Sequence, residues 1–78
     1  MATSKSIKSN SKSWRDDARK VTREINYAIA HYPGQYVYGR TASGEWVRIT
    51  RAKAIKIEIF GHCLATGQWI HINQWEVR

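Results

Sequence analysis

Residues Ala42–Ile49 read ASGEWVRI, and residues Ala65–Ile72, 23 positions further on, read ATGQWIHI. Four of the eight positions are identical and the other four are close in size or polarity. In each copy a small-residue turn leads into alternating apolar and polar residues, the period-two signature of a strand with one buried face. The turns Thr41-Ala42-Ser43-Gly44-Glu45 and Leu64-Ala65-Thr66-Gly67-Gln68 both suit a three-residue loop. Their Gly takes the left-handed position, where a side chain would clash. Each copy therefore reads as a hairpin turn plus its second strand. The likeness reaches back to the first strands, where Tyr38-Gly39-Arg40 resembles Phe60-Gly61-His62 at an offset of 22. One residue has been inserted or lost, and a bulge is the expected place for it. The expectation is two related hairpins, with strands near 35–41, 45–51, 54–64 and 68–77.

Ahead of the hairpins the period changes. Trp14, Ala18, Val21, Ile25, Ile29 and Tyr32 share one helical stripe. Ser13 is a good N-cap, Asp16 and Asp17 suit the first turn, and Pro33-Gly34 stops the helix. Residues 14–32 are thus predicted to be one helix.

Alternation sorts the strand residues into two faces. Val37, Val47, Ile49, Ile55, Ile57, Ile59, Ile70 and Ile72 form an aliphatic face, the natural partner for the helix stripe. Each such side chain is worth about 1.5–3 kcal/mol if fully buried. The expected fold is α+β: an N-terminal helix packed on a four-stranded antiparallel sheet of two similar hairpins. A small SH3-like barrel capped by the helix is the alternative.

The opposite face collects Tyr36, Tyr38, Arg40, Trp46, Arg48, Lys56, Glu58, Phe60, His62, Trp69, His71, Asn73 and Trp75. Each repeat delivers a Trp and, two residues later, a basic or potentially basic side chain to one side: Trp46 with Arg48, then Trp69 with His71. An exposed sheet face is normally polar, and an aromatic one marks an interaction surface. Rings stack on unpaired bases at about 1–3 kcal/mol each, while Arg and Lys neutralise phosphates.

The charge points the same way. The 78 residues carry 13 Lys+Arg against 6 Asp+Glu, a net charge of +7, with four Trp and four Tyr. Such a surplus attracts polyanions, nucleic acid first. Residues 1–12, MATSKSIKSNSK, are read as a disordered Lys/Ser tail too poor in apolar residues to order itself, and 13–78 as the one domain. Arg15, Arg19 and Arg23 line one helix flank, which would track a phosphate backbone or serve as a solvated face beside Asp16, Asp17 and Glu24.

Other chemistry lacks its residues. Cys63 is the single cysteine, which fits a reducing cytoplasm. His62 and Cys63 are adjacent on a strand, so they point to opposite faces, and no further metal-ligand spacing accompanies them. No paired carboxylates or phosphate-cradling Gly loop is evident, so neither catalysis nor a cofactor is expected. No stretch approaches the length of a membrane span.

The reading is a non-catalytic nucleic-acid-binding protein. Tyr36, Tyr38, Trp46, Trp69 and Trp75 would stack or wedge, Arg40, Arg48 and Lys56 would hold phosphates or base edges, His62 and His71 would join the same contact face, and the tail with Arg15, Arg19 and Arg23 would add non-specific attraction. The alternatives put the aromatic face in a homodimer, or against an acidic protein surface as a small phage- or plasmid-type inhibitor.

Overall fold

The computed structural model describes residues 3–6 and 14–78, with side chains from 17 onward. The elements in order are β1 (Thr3–Ser6), α1 (Trp14–His31), β2 (Val37–Thr41), β3 (Trp46–Ile55), β4 (Glu58–Cys63) and β5 (Trp69–Val77). One helix lies on an antiparallel sheet built from two hairpins, β2–β3 and β4–β5. The strand order is β1-β5-β2-β3-β4, and β4 also pairs with β5. The strands β2, β3, β4 and β5 therefore close a ring of antiparallel pairing.

The ring forms because β3 and β5 each serve two partners. The first half of β3 pairs with β2, from Arg40↔Trp46 to Val37↔Ile49, and its second half pairs with β4, from Ala52↔Gly61 to Ile55↔Glu58. In the same way β5 pairs with β4 through Trp69–Ile72 and with β2 through Gln74–Val77. Each long strand changes partner at an irregularity, between Ile49 and Ala52 on β3 and opposite Arg40/Thr41 on β5. An extra residue at such a point bends the strand and increases its twist.

The aliphatic face consequently folds in on itself. Val37, Ile49, Ile59 and Ile72 are all at most 2% exposed. Two strand glycines permit this closeness. A Cβ on Gly39 would stand 2.8 Å from Ile72 Cγ2, and one on Gly61 would stand 2.7 Å from Ile49 Cγ2. Each hairpin thus offers a glycine to the other hairpin's isoleucine.

The helix packs chiefly along β3. It buries Ala18, Thr22, Ile25 and Ala28, with Val21 and Ile29 half-buried beside them. Small residues on the contact line let the helix approach closely. Thr22 satisfies its hydroxyl by donating to the Ala18 carbonyl at 2.7 Å. The predicted stripe is therefore rotated: Ala28 joins it, and Tyr32, 46% exposed, leaves it.

Both open strand edges are covered. Where β3 leaves β2, the Asn26 amide donates to the Ala52 carbonyl and accepts from the Ala52 N–H, each at 2.9 Å. One side chain here replaces a missing neighbouring strand. The matching edge of β5 is covered by β1, with Lys5 opposite Trp75. For residues 3–6 this departs from the expected structureless tail, since backbone pairing needs no apolar side chains; residues 1–2 and 7–12 of that tail lie outside the described residues.

Three further expectations are corrected. The strand expected at 45–51 is β3 and runs on to Ile55, and the strand expected at 54–64 is β4 and begins only at Glu58, after a two-residue turn at Lys56-Ile57. Ile55 and Ile57, at that end, are 49% and 40% exposed rather than core. The inserted residue of the second repeat lies in its loop: Thr41 N–H bonds Glu45 O across three residues, whereas Cys63 N–H bonds Gln68 O across four. Gly44 and Gly67 do take the left-handed position, at φ of 90° and 70°.

Candidate functional site

Closure of the ring turns the other face outward and divides it into two clusters. The first lies on β2 and the strand halves beside it. Tyr38 stands opposite Arg48 on β3 and Glu76 on β5, and Arg40 stands opposite Trp46 and Gln74. The Arg48 guanidinium lies 3.5 Å from the centre of the Tyr36 ring. That of Arg78 lies 4.7 Å from Tyr38 and 5.5 Å from Trp46, and it is ion-paired with Glu76. Arg40 donates to Gln74 Oε1 at 2.9 Å. Rings and cations here hold one another in place through the attraction of a cation for a ring face.

The second cluster lies on β4 and its neighbours. Phe60 stands opposite Lys53 on β3 and His71 on β5, and His62 stands opposite Trp69. The Lys53 ammonium is 4.2 Å from the Trp69 ring centre. His62 meets Trp69 edge-on at 5.2 Å, and Phe60 meets His71 edge-on at 5.7 Å. The Thr50 hydroxyl is 3.1 Å from His62 Nδ1. Thr50, Arg51, His62 and Trp69 line a shallow depression of about 420 Å³.

Of the residues singled out in the sequence, Tyr36, Tyr38, Arg40, Trp46 and Arg48 come together in the first cluster, and His62, Trp69 and His71 in the second. Among the described side chains, four do not join them. Trp75 is 5% exposed and belongs to the core, because the extra residue on β5 shifts its alternation and turns the ring inward. It is unavailable for stacking. Lys56 occupies the β3–β4 turn at φ 57°, away from both clusters in the pairing register. Arg19 and Arg23 are exposed on the helix, apart from the sheet clusters; the Arg15 side chain lies outside the described residues.

Sequence reading missed Lys53 and Arg78, the cations over Trp69 and over Tyr38 and Trp46. Lys53 was hidden by the assumption of a strand break after Arg51. Arg78 lies one residue beyond the last strand, yet it exchanges two 2.8 Å backbone hydrogen bonds with Tyr36. Both face outward only because of the register shifts on β3 and β5, which strict alternation from the strand starts does not show.

Cys63 lies beneath the second hairpin loop. The Thr66 hydroxyl and amide hydrogen-bond to its sulfur and hold the thiol below its ordinary range, while burial pushes the other way. Among the described residues no three His, Cys, Asp or Glu side chains come together as a metal site, and no helix is long and apolar enough to cross a membrane. Comparison of the chain with protein-family models, curated proteins and solved structures finds no match.

Proposed function

We propose that the chain is a non-catalytic nucleic-acid-binding protein of the cytoplasm that contacts its ligand through the outward sheet face. The observation that carries this reading is the interleaving of ring and cation on that face: Arg48 on Tyr36, Arg78 on Tyr38 and Trp46, Lys53 on Trp69. Trp69 and Tyr36 remain 37% and 48% exposed, so bases can reach them. A guanidinium already stacked on a ring still points its N–H groups at the rim, where a phosphate would lie beside a stacked base. The surplus of +7 supplies long-range attraction, to which Arg19 and Arg23 add.

The test uses fluorescein-labelled single-stranded DNA, RNA and duplex DNA, with anisotropy followed at two salt concentrations. Binding should weaken with salt, log K falling by roughly 0.7–0.9 per phosphate contact per log unit. Trp46→Ala and Trp69→Ala should each weaken it, by about 1–3 kcal/mol for each stacked base lost. Absence of binding to every polymer at low salt would refute the reading and turn attention to an acidic protein partner or a second copy on the same face.

A further inference from the structure

The two clusters are copies of one another. In the first hairpin Tyr38 pairs with Arg48 and Arg40 with Trp46; in the second Phe60 pairs with His71 and His62 with Trp69. The contacts between hairpins repeat as well. Ile49 stands opposite Cys63, and Ile72 opposite Thr41. Gly61 receives Ile49, and Gly39 receives Ile72. An internal two-fold therefore relates the hairpins, and it relates the outward faces with them.

The ring sets the direction of those faces. In the cycle β2, β3, β4, β5, the strands β2 and β4 are not neighbours but lie across from each other. The first cluster centres on Tyr38 of β2 and the second on Phe60 of β4. Outward side chains on opposite strands of a closed ring point away from each other, with the core between them. Each cluster has a Trp, a second ring one strand over, and its own cation within 5.5 Å of a ring: Arg48 and Arg78 in the first, Lys53 in the second. Neither needs the other to be complete.

We infer that one chain carries two separate single-stranded nucleic-acid sites, back to back, and so holds two strand segments at once. This rests on the nucleic-acid reading and extends it from a binding face to a bridging function. A stack on unpaired bases is the appropriate ligand because each cluster offers one exposed ring, Tyr36 or Trp69, with a cation beside it, rather than a strand or helix shaped to enter a duplex groove.

Native mass spectrometry of the full chain with excess hexathymidylate at low ionic strength tests it. The expected result is one chain with two oligonucleotides. Trp46→Ala and Trp69→Ala should each reduce this to one, and the double variant to none. Because a Trp substitution can disturb folding, Arg48→Glu and His71→Glu serve as a second pair, with far-ultraviolet circular dichroism confirming the native fold; each should likewise remove one site. A single oligonucleotide per chain, or loss of both through one substitution, overturns the two-site inference and leaves nucleic-acid binding standing. Two oligonucleotides found only with two chains also overturns it, since self-association then does the bridging. No complex at all, with the longer polymers also failing to bind, overturns both.

Discussion

Replacing Gly39 by alanine places a methyl group 2.8 Å from Ile72 Cγ2 and 3.1 Å from its Cδ1. Carbon atoms attract best at about 3.5–4.0 Å, so the contact is short by roughly 1 Å. Ile72 is 1% exposed, so it has no free space to turn into. Overpacking of this kind costs about 1–3 kcal/mol, and the branched, enclosed neighbour puts Gly39→Ala toward the upper end. Ile72→Ala alone should cost about 2–5 kcal/mol through its cavity. In that background only Cβ remains, at 3.3 Å, so most of the Gly39→Ala penalty should vanish. The coupling should thus be at least about 1 kcal/mol in favour of the double variant. In an Ile49→Ala background, by contrast, Gly39→Ala should keep its full cost, because Ile49 is the partner of Gly61. Urea unfolding followed by Trp fluorescence gives all the values. With m near 1 kcal/mol/M for so small a domain, 2 kcal/mol moves the midpoint by about 2 M. A stabilising osmolyte keeps the weakest variants folded at the start of each curve. A Gly39→Ala cost below about 0.5 kcal/mol, or equal relief from Ile49→Ala, would refute the reciprocal packing.

Four other outcomes follow from the same structure. Asn26→Ala strips the Ala52 N–H and carbonyl of their partners and should cost about 2 kcal/mol, discounted for partial burial, in the same urea assay. Trp75→Phe should lower the thermal midpoint yet leave nucleic-acid affinity unchanged, since Trp75 is a core residue and not part of either cluster. Lys56→Gly should raise stability by up to about 1 kcal/mol, because the lysine is held at φ 57° where only Gly is at ease; no change in the urea midpoint would count against strain at that turn. The Thr66 donors lower the Cys63 pKa in the folded chain, and a lowered pKa adds stability that is complete above the unfolded value and lost as pH falls through the folded one. The stability advantage of the wild type over Thr66→Val should therefore grow between about pH 7 and about pH 9.5, as read by unfolding curves at the two pH values.

The sequence by itself determined the local structure. Its change of period from helical to alternating, its Gly-bearing turns and its twice-written hairpin dictated one helix and two antiparallel hairpins, because these features act within a few residues of one another. Alternation also decided that Tyr38, Trp46, Arg48, Phe60, Trp69 and His71 share a face opposite Val37, Ile49, Ile59 and Ile72, and the register keeps them so. What only the tertiary structure decided begins where one residue is out of step. The irregularities on β3 and β5 reverse the alternation beyond them, so Trp75 turns inward while Lys53 joins the outer face, and no local signal marks either bulge. Ring closure is likewise decided at a distance: Gly39 and Gly61 read only as matching strand residues of the repeat until the isoleucine of the other hairpin fills the space each leaves. Asn26 reads as an ordinary polar helix residue until the bare edge at Ala52 stands beside it. Closure also turned one continuous aromatic face into two, since a sheet whose ends meet must face outward on every side.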